Sequence, residues 1–286
     1  MRFVSFEISA RPSYGVVVLE GIVDLGRRIG TRYPTLADLI GANTLAYAVE
    51  VVNSPADYPL DAVKMLPVIP NPKHVFCVAL NYHDHFQEVS TGVEREAPAY
   101  PAVFLRAADS LAGHRQPIIR PKVSKQLDYE GELAVIIGKR GRHIPPADAL
   151  DYIAGYSCFN DASVRDWQKH TKQATPGKNF FSTGALGPWL LTKDEIPNPY
   201  DLAIATRLNG AIMQNSRTSG MLFNIPTFMA YVSAILPLEP GDVLATGTPS
   251  GVGYSRQPPV FLVPGDVVEV EIERVGTLIN TIADEG

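Results

Sequence analysis

Asp128-Tyr129-Glu130-Gly131-Glu132-Leu133-Ala134-Val135-Ile136-Ile137 is the stretch whose reading decides the fold. Successive side chains of a strand point to opposite faces, so Asp128, Glu130 and Glu132 are expected on one face. The apolar run from Leu133 to Ile137 predicts that the strand enters a core. Three carboxylates approaching low dielectric repel one another and resist losing water. A hard divalent cation held by oxygen ligands relieves both. The alternative is an exposed acidic edge that merely alternates; the adjoining apolar run counts against it.

Outward from this strand the pattern stays β-rich. Strands are predicted at 75–80, 102–105, 153–159, 202–208, 243–245 and 267–273 from their runs of Val, Ile and Leu bounded by Gly and Pro. Two similar turns, Pro240-Gly241-Asp242-Val243 and Pro264-Gly265-Asp266-Val267, each launch a strand, and Asn209-Gly210 signals a hairpin. Ile225, Phe228, Met229, Val232 and Ile235 have helical spacing and predict a core-facing helix over 226–236. Further helices are predicted at 146–153 and 162–170. Before residue 70 three short strands (3–8, 14–20, 21–25), a helix N-capped by Thr35 and running from 36 towards 52, and a strand at 63–69 form a small unit. Pro70-Asn71-Pro72 is the boundary candidate. The expected fold class is therefore α+β and β-rich, with a small N-terminal domain (1–70) and a larger domain (71–286).

Composition narrows the function. The 286 residues are 45% hydrophobic, enough for a large core. Charged residues are 19%, below the usual quarter, which points to much buried surface or an oligomer interface. A net charge of -5 argues against nucleic acid as a partner. The most apolar stretch, 221–238, contains Asn224, Pro226, Ser233 and Pro237 and does not suit a bilayer, so no membrane partner is expected. No signal peptide is visible, and the two cysteines, Cys77 and Cys158, read as buried free thiols. A cytoplasmic protein is expected.

Four further constellations carry chemistry. In Asn160-Asp161-Ala162-Ser163-Val164-Arg165-Asp166-Trp167-Gln168, Asp161 sits where a helix would start, either as its N-cap or as an acidic ligand. Arg165 and Gln168, three apart, share a helix face and suit developing negative charge, or simply solvent. In Asn81-Tyr82-His83-Asp84-His85-Phe86-Gln87-Glu88, His85 and Glu88 are spaced so that the carboxylate orients the imidazole, which makes a general base. His83 and His85 also invite a zinc reading, but hard oxygen ligands favour magnesium, manganese or calcium. The loop-like residues 89–101 suggest that the histidine segment is a lid. Lys178 lies in a Pro-Gly-Lys-Asn loop, where a lysine usually faces solvent. Thr246-Gly247-Thr248-Pro249-Ser250-Gly251-Val252-Gly253 lacks the features of a phosphate loop, yet its N–H groups suit a carboxylate. No Gly-x-Ser-x-Gly elbow is present.

Taken in order, Asn81-Tyr82 with His85-x-x-Glu88, Asp128-Tyr129-Glu130-Gly131-Glu132, Asn160-Asp161 with Arg165-Asp166-x-Gln168, Gly177-Lys178-Asn179-Phe180 and Thr246 to Gly253 resemble the fumarylacetoacetate hydrolase family. The resemblance covers about residue 75 to the C-terminus. It implies a mixed β-sandwich roll, a homodimer and a Mg2+ or Mn2+ ion, with Ca2+ as a structural stand-in. It implies Glu130, Glu132 and Asp161 as metal ligands, with Asp128 behind them. His85 and Glu88 would activate water, Arg165, Gln168 and Lys178 would line the oxyanion side, Thr248 would touch the substrate carboxylate and Tyr82 would form a substrate-side wall. One departure stands out: where many members have Lys-Pro, this chain has Arg106-Ala107, so Arg106 is expected on a substrate carboxylate. Trp167 to Thr171 with Gly187-Pro188-Trp189 resembles an acylpyruvate-hydrolase-like bacterial subgroup found in aromatic catabolism.

The reaction these readings favour is metal-dependent hydrolysis of a carbon–carbon bond in a 2,4-dioxo acid (an acylpyruvate or fumarylpyruvate-like molecule) or a related β-diketone. The alternative is decarboxylation, isomerisation or hydration of a 2-oxo acid through the same ion-held enolate. A calcium-stabilised binding module without catalysis would leave His85, Glu88 and Lys178 unexplained.

Overall fold

The computed structural model describes residues 1–45, 47–89 and 96–286. It is strand-rich, with few and short helices. The main sheet runs Gly21–Asp24, Arg11–Val18, Arg2–Ile8, Gly184–Thr192, Ile153–Asn160, Gly131–Ile137, Val243–Ala245, Val75–Ala79, Ala102–Arg106. A second, five-stranded sheet runs Ala211–Arg217, Ala203–Leu208, Val267–Ile272, Gly276–Asp284, Ile118–Arg120.

Gly131–Ile137 lies deep in the main sheet and is buried along its whole length. Leu133, Val135 and Ile137 join the core shared with Ile204, Val268, Val270 and Ile272 of the second sheet. Ala134 and Ile136 join a different core with Leu36, Leu39 and Ile40. Both faces are therefore apolar, which is why this strand reads as a continuous hydrophobic run rather than an alternation.

All seven strands predicted after residue 70 form within one or two residues of their expected ends. The Asn209-Gly210 hairpin closes Ala203–Leu208 onto Ala211–Arg217, both turn residues taking positive φ (52° and 82°) as a primed turn requires. The helix over 226–236 is Ile225–Ile235, with Phe228, Met229 and Val232 in the core. Gly184–Thr192 was not anticipated as a strand. Its Gly184, Gly187 and Pro188 disguise the pattern, yet it joins the N-terminal strands to the rest of the sheet through Arg2↔Leu191 and Phe3↔Leu190. The sheet thus runs across the expected boundary at residue 70.

Three local expectations change. Thr35 does cap a helix, in a reciprocal box with Asp38, but the helix stops at Gly41 and resumes as Tyr47–Val51, with Asn43 at φ 54° between them. The helix expected at 162–170 shrinks to Arg165–Gln168, because Ser163–Val164 pairs with Leu127–Asp128. That pairing also takes Asp128 off the run that carries Glu132. The loop predicted at 89–101 falls at 90–95 outside the described residues.

Candidate metal centre and active site

The site assembles where the two halves of an antiparallel pair end together. Gly131 lies opposite Asn160, so Glu130, just before one strand, meets Asp161, just after the other. The Asp161 N–H donates to the Glu130 carbonyl at 2.8 Å, and the Glu130 N–H donates to Asn160 Oδ1 at 3.0 Å. Glu132, one residue along the same strand face from Glu130, completes the group. Glu130, Glu132 and Asp161 are buried, and each offers an oxygen within 4.8 Å of the others'.

Three cations approach the triad. Lys178 Nζ donates to Glu130 Oε2 at 2.7 Å, Asp161 Oδ2 at 2.5 Å and the Asp161 carbonyl at 2.9 Å. Arg165 Nη1 lies 2.6 Å from Glu130 Oε1. Arg106 Nη1 donates to Asp161 Oδ1 at 2.6 Å. Burial acts to raise the Glu130 pKa, but Lys178 and Arg165 hold it below the usual carboxylate range. Glu132 goes the other way. Burial, then Asp161 and Glu130, push it well above its ordinary value. A carboxylate pressed by two like charges in a dry pocket is the environment a divalent cation stabilises, so the donor set fits a hard metal ion. Held there, the ion would have Glu130, Glu132 and Asp161 as protein ligands. His83 is exposed and stands apart from this group, and the two cysteines are buried free thiols, which leaves the zinc reading without ligands among the described residues.

The triad lines a cavity of about 250 Å³, together with His85, Lys178, Arg165 and Gln168. His85 sits on the short helix His83–Val89, 5% exposed. Its Nδ1 meets Glu88 Oε2 at 2.8 Å. A carboxylate only accepts, so the neutral ring carries its proton on Nδ1 and presents Nε2 to the cavity. Lys178, whose loop taken alone suits a solvent-facing lysine and which the resemblance puts at the site, is buried, at the end of Thr175–Lys178. The neighbouring Asn179 fastens that turn to the Ala102–Arg106 strand through Leu105 O and the Ala107 N–H.

Residues 247–254 hold carboxylates, but the protein's own. The Gly247 N–H donates to Glu132, Ser250 Oγ to Asp84, the Gly251 N–H to Glu88, and the Gly253 and Tyr254 N–H groups to Asp128. One loop therefore sets Glu132 of the acidic triad, the Glu88 partner of His85, and the anchor of Arg165, whose Nε donates to Asp128 at 2.8 Å. Gly251 has φ +100°, and a Cβ there would lie 2.1 Å from the Met213 carbonyl. Gly251→Ala is expected to cost about 1–3 kcal/mol of stability and to lower turnover by loosening Glu88. Urea unfolding and steady-state kinetics on the same preparation check both; an unchanged variant would mean that the turn is not strained.

The structure places Arg106 and Tyr82 away from the cavity wall. The Arg106 guanidinium, expected on a substrate carboxylate, is enclosed by Asp161, Ala162 O, Ser110 and Thr183, and the carboxylate it meets is that of Asp161. Tyr82 is fully buried, and its hydroxyl has no hydrogen-bond partner among the described residues. Tyr82→Phe should leave turnover unchanged and stability equal or up to about 1 kcal/mol higher. A tenfold loss of kcat/KM would return the hydroxyl to the substrate. Thr248 reaches the cavity, yet its hydroxyl donates to Gly131 O and accepts from Gln214. Asp128 stays outside the triad. Sequence reading missed Gln214, which holds Thr248 and the Gly131 N–H, and Tyr254, whose ring lies 4.4 Å from the Arg165 guanidinium. Tyr254 directly follows the Gly-Val-Gly signal, whereas nothing local marks Gln214.

A family model described as fumarylacetoacetate (FAA) hydrolase C-terminal matches residues 74–283. The chain belongs to the fumarylacetoacetate hydrolase family. It is 41% identical over 290 residues to the rat protein named oxaloacetate tautomerase Fahd2a, mitochondrial, covering 99% of this chain and 91% of the relative. Among solved structures it superposes on the fumarylacetoacetate hydrolase of psychrophilic Exiguobacterium antarcticum with TM-score 0.84 and 36% identity over the full length of both chains. It also superposes on maleylpyruvate hydrolase from Sphingobium sp. SYK-6, solved with manganese(II) and pyruvate, at TM-score 0.81 and 28% identity over the full length of both. The family fold expected from the acidic strand is thus the observed one, and the family holds enzymes with both hydrolase and tautomerase names. Among the described residues no helix is long and apolar enough to cross a membrane.

Proposed function

We propose that this member of the fumarylacetoacetate hydrolase family is a divalent-metal-dependent tautomerase of a small 2-oxo diacid of the oxaloacetate type. The observation that carries the reading is Lys178. An ammonium has three N–H donors, and all three meet Glu130, the Asp161 carboxylate and the Asp161 carbonyl. Hydrolysis of a carbon–carbon bond needs a donor for the tetrahedral oxyanion as well as a base, and with Lys178 so engaged that donor falls to Arg165 and Gln168 of the three residues expected there. Tautomerisation moves one proton and releases no fragment. The name of the rat relative supports the same choice.

When bound, a Mg2+ or Mn2+ ion supplies Lewis-acid polarisation of the 2-oxo group. The chain's own residues do the rest. His85 Nε2 takes a proton from the carbon beside the carbonyl, that C–H bonding pair becomes the enol C=C, and the imidazolium hands the same proton to the former carbonyl oxygen. In the reverse direction the imidazolium returns the proton to carbon. Glu88, on Nδ1, stabilises the imidazolium between the two transfers. Arg165 and Gln168, joined at 3.0 Å, keep positive charge and an amide on the cavity wall where an anionic substrate would lie.

Hydrolysis of an acylpyruvate is the second reading, favoured by the His85–Glu88 pair, which is built as a water-activating base would be. One experiment separates them. Enol oxaloacetate and a panel of acylpyruvates are supplied with Mg2+ or Mn2+, enol absorbance is followed, and products are identified by NMR. Accelerated enol–keto interconversion without fragment release supports tautomerisation. Release of pyruvate and a second acid at comparable kcat/KM would overturn it in favour of hydrolysis.

A further inference from the structure

Each carboxylate of the triad already has one oxygen engaged by a protein donor. Asp161 Oδ1 accepts from Arg106 Nη1, Glu132 Oε2 accepts from the Gly247 N–H, and Glu130 Oε1 accepts from Ser163 Oγ and lies against Arg165 Nη1. The second oxygens of Glu130 and Asp161, Oε2 and Oδ2, accept from Lys178 Nζ, a single flexible ammonium that a bound ion would displace. A small octahedral ion is satisfied by single oxygens from carboxylates, whereas Ca2+ takes six to eight ligands and commonly both oxygens of a carboxylate.

We propose that Arg106 is a metal-selectivity residue, which by retaining Asp161 Oδ1 keeps this ligand single-toothed and biases the centre towards Mg2+ and Mn2+ against Ca2+; the proposal rests on reading the triad as a metal centre. Arg106 is suited to this because it is itself immobilised. Its side chain is 0% exposed. Nε donates to Ser110 Oγ at 3.1 Å, Nη1 also reaches Ala162 O at 3.1 Å, and Nη2 donates to Thr183 Oγ1 at 3.1 Å. The space it fills exists because residue 184 is glycine: a Cβ there would lie 2.6 Å from Nη2 and 2.8 Å from Cζ. Asp161 cannot turn Oδ1 towards an ion without stranding a buried guanidinium N–H, which resists the turn. A lysine at 106 would offer a point charge in place of this fork. Arg106 is thus a positioning residue that acts through Asp161.

The test is a ratio. The metal-free protein, its Arg106→Met variant and its Gly184→Ala and Thr183→Val variants are titrated calorimetrically with Mn2+ and with Ca2+. Both ions carry two charges, so losing the Arg106 charge moves both affinities together, and the ratio reads coordination alone. The natural chain should prefer Mn2+, and Arg106→Met should shift the ratio towards Ca2+ by about tenfold or more. Gly184→Ala, which displaces the guanidinium with its charge kept, and Thr183→Val, which removes one of its acceptors, should shift it the same way. They decide the matter should Arg106→Met fail to fold. An unchanged ratio in the folded variants overturns the role of Arg106. Failure of the natural chain to bind either ion overturns the metal centre, and the proposal with it.

Discussion

Glu130→Ala is expected to abolish turnover with every 2-oxo acid and to lower stability by about 3–5 kcal/mol. Both effects have one origin. Glu130 offers a ligand oxygen to the metal centre and at the same time receives Lys178 on Oε2 and Arg165 on Oε1. Removing it takes one of three ligands and leaves two cations, each nearly excluded from solvent, short of a counter-charge. Calorimetric titration with Mn2+, turnover assays and urea unfolding on one preparation read the three consequences. A variant that still binds Mn2+ and turns over would show that the triad is not the catalytic metal centre.

His85→Ala should behave differently. It is expected to lower kcat by about 10²–10⁴-fold while leaving Mn2+ affinity as it was. His85 reaches no triad carboxylate through a hydrogen bond among the described residues; its ring bond goes to Glu88. The loss should therefore fall on proton transfer and not on assembly of the centre. Glu88 remains tied to the Gly251 N–H at 2.9 Å in this variant, so the surrounding loop keeps its shape. A loss of less than tenfold would remove His85 from the proton path.

The two expectations differ in how far the chain announced them. Glu130 and Glu132 were legible because a strand alternates: two carboxylates two residues apart, followed by an apolar run, declare a shared face and a buried destination. His85 and Glu88 were legible because three residues make nearly one helical turn. Asp128 was misplaced by the same alternation rule, since nothing local reveals that its backbone pairs with Ser163–Val164 in a separate two-stranded ladder. The strand Gly184–Thr192 escaped because two glycines and a proline weaken every strand signal it carries, although five of its backbone pairings bind it to Ile153–Asn160.

Arg106 is the most instructive case. Its chemistry is a fork that seeks a carboxylate, and within the chain the carboxylate it finds is Asp161, 55 positions away. The loop at 247–254 repeats the lesson: its N–H groups hold carboxylates, all of them from elsewhere in the chain.

The sequence by itself determined seven strands after residue 70, the acidic strand among them, the histidine–glutamate pair and the family, because each rests on local spacing and on burial that periodicity reports. Only the tertiary structure decided which charges meet. Glu130 is joined to Lys178 across 48 positions and Glu132 to Gly247 across 115, and no local pattern encodes such distances. Electrostatic partnership in a dry interior depends on a few ångströms of approach, and that approach is set by which strand ends and turns the fold brings together.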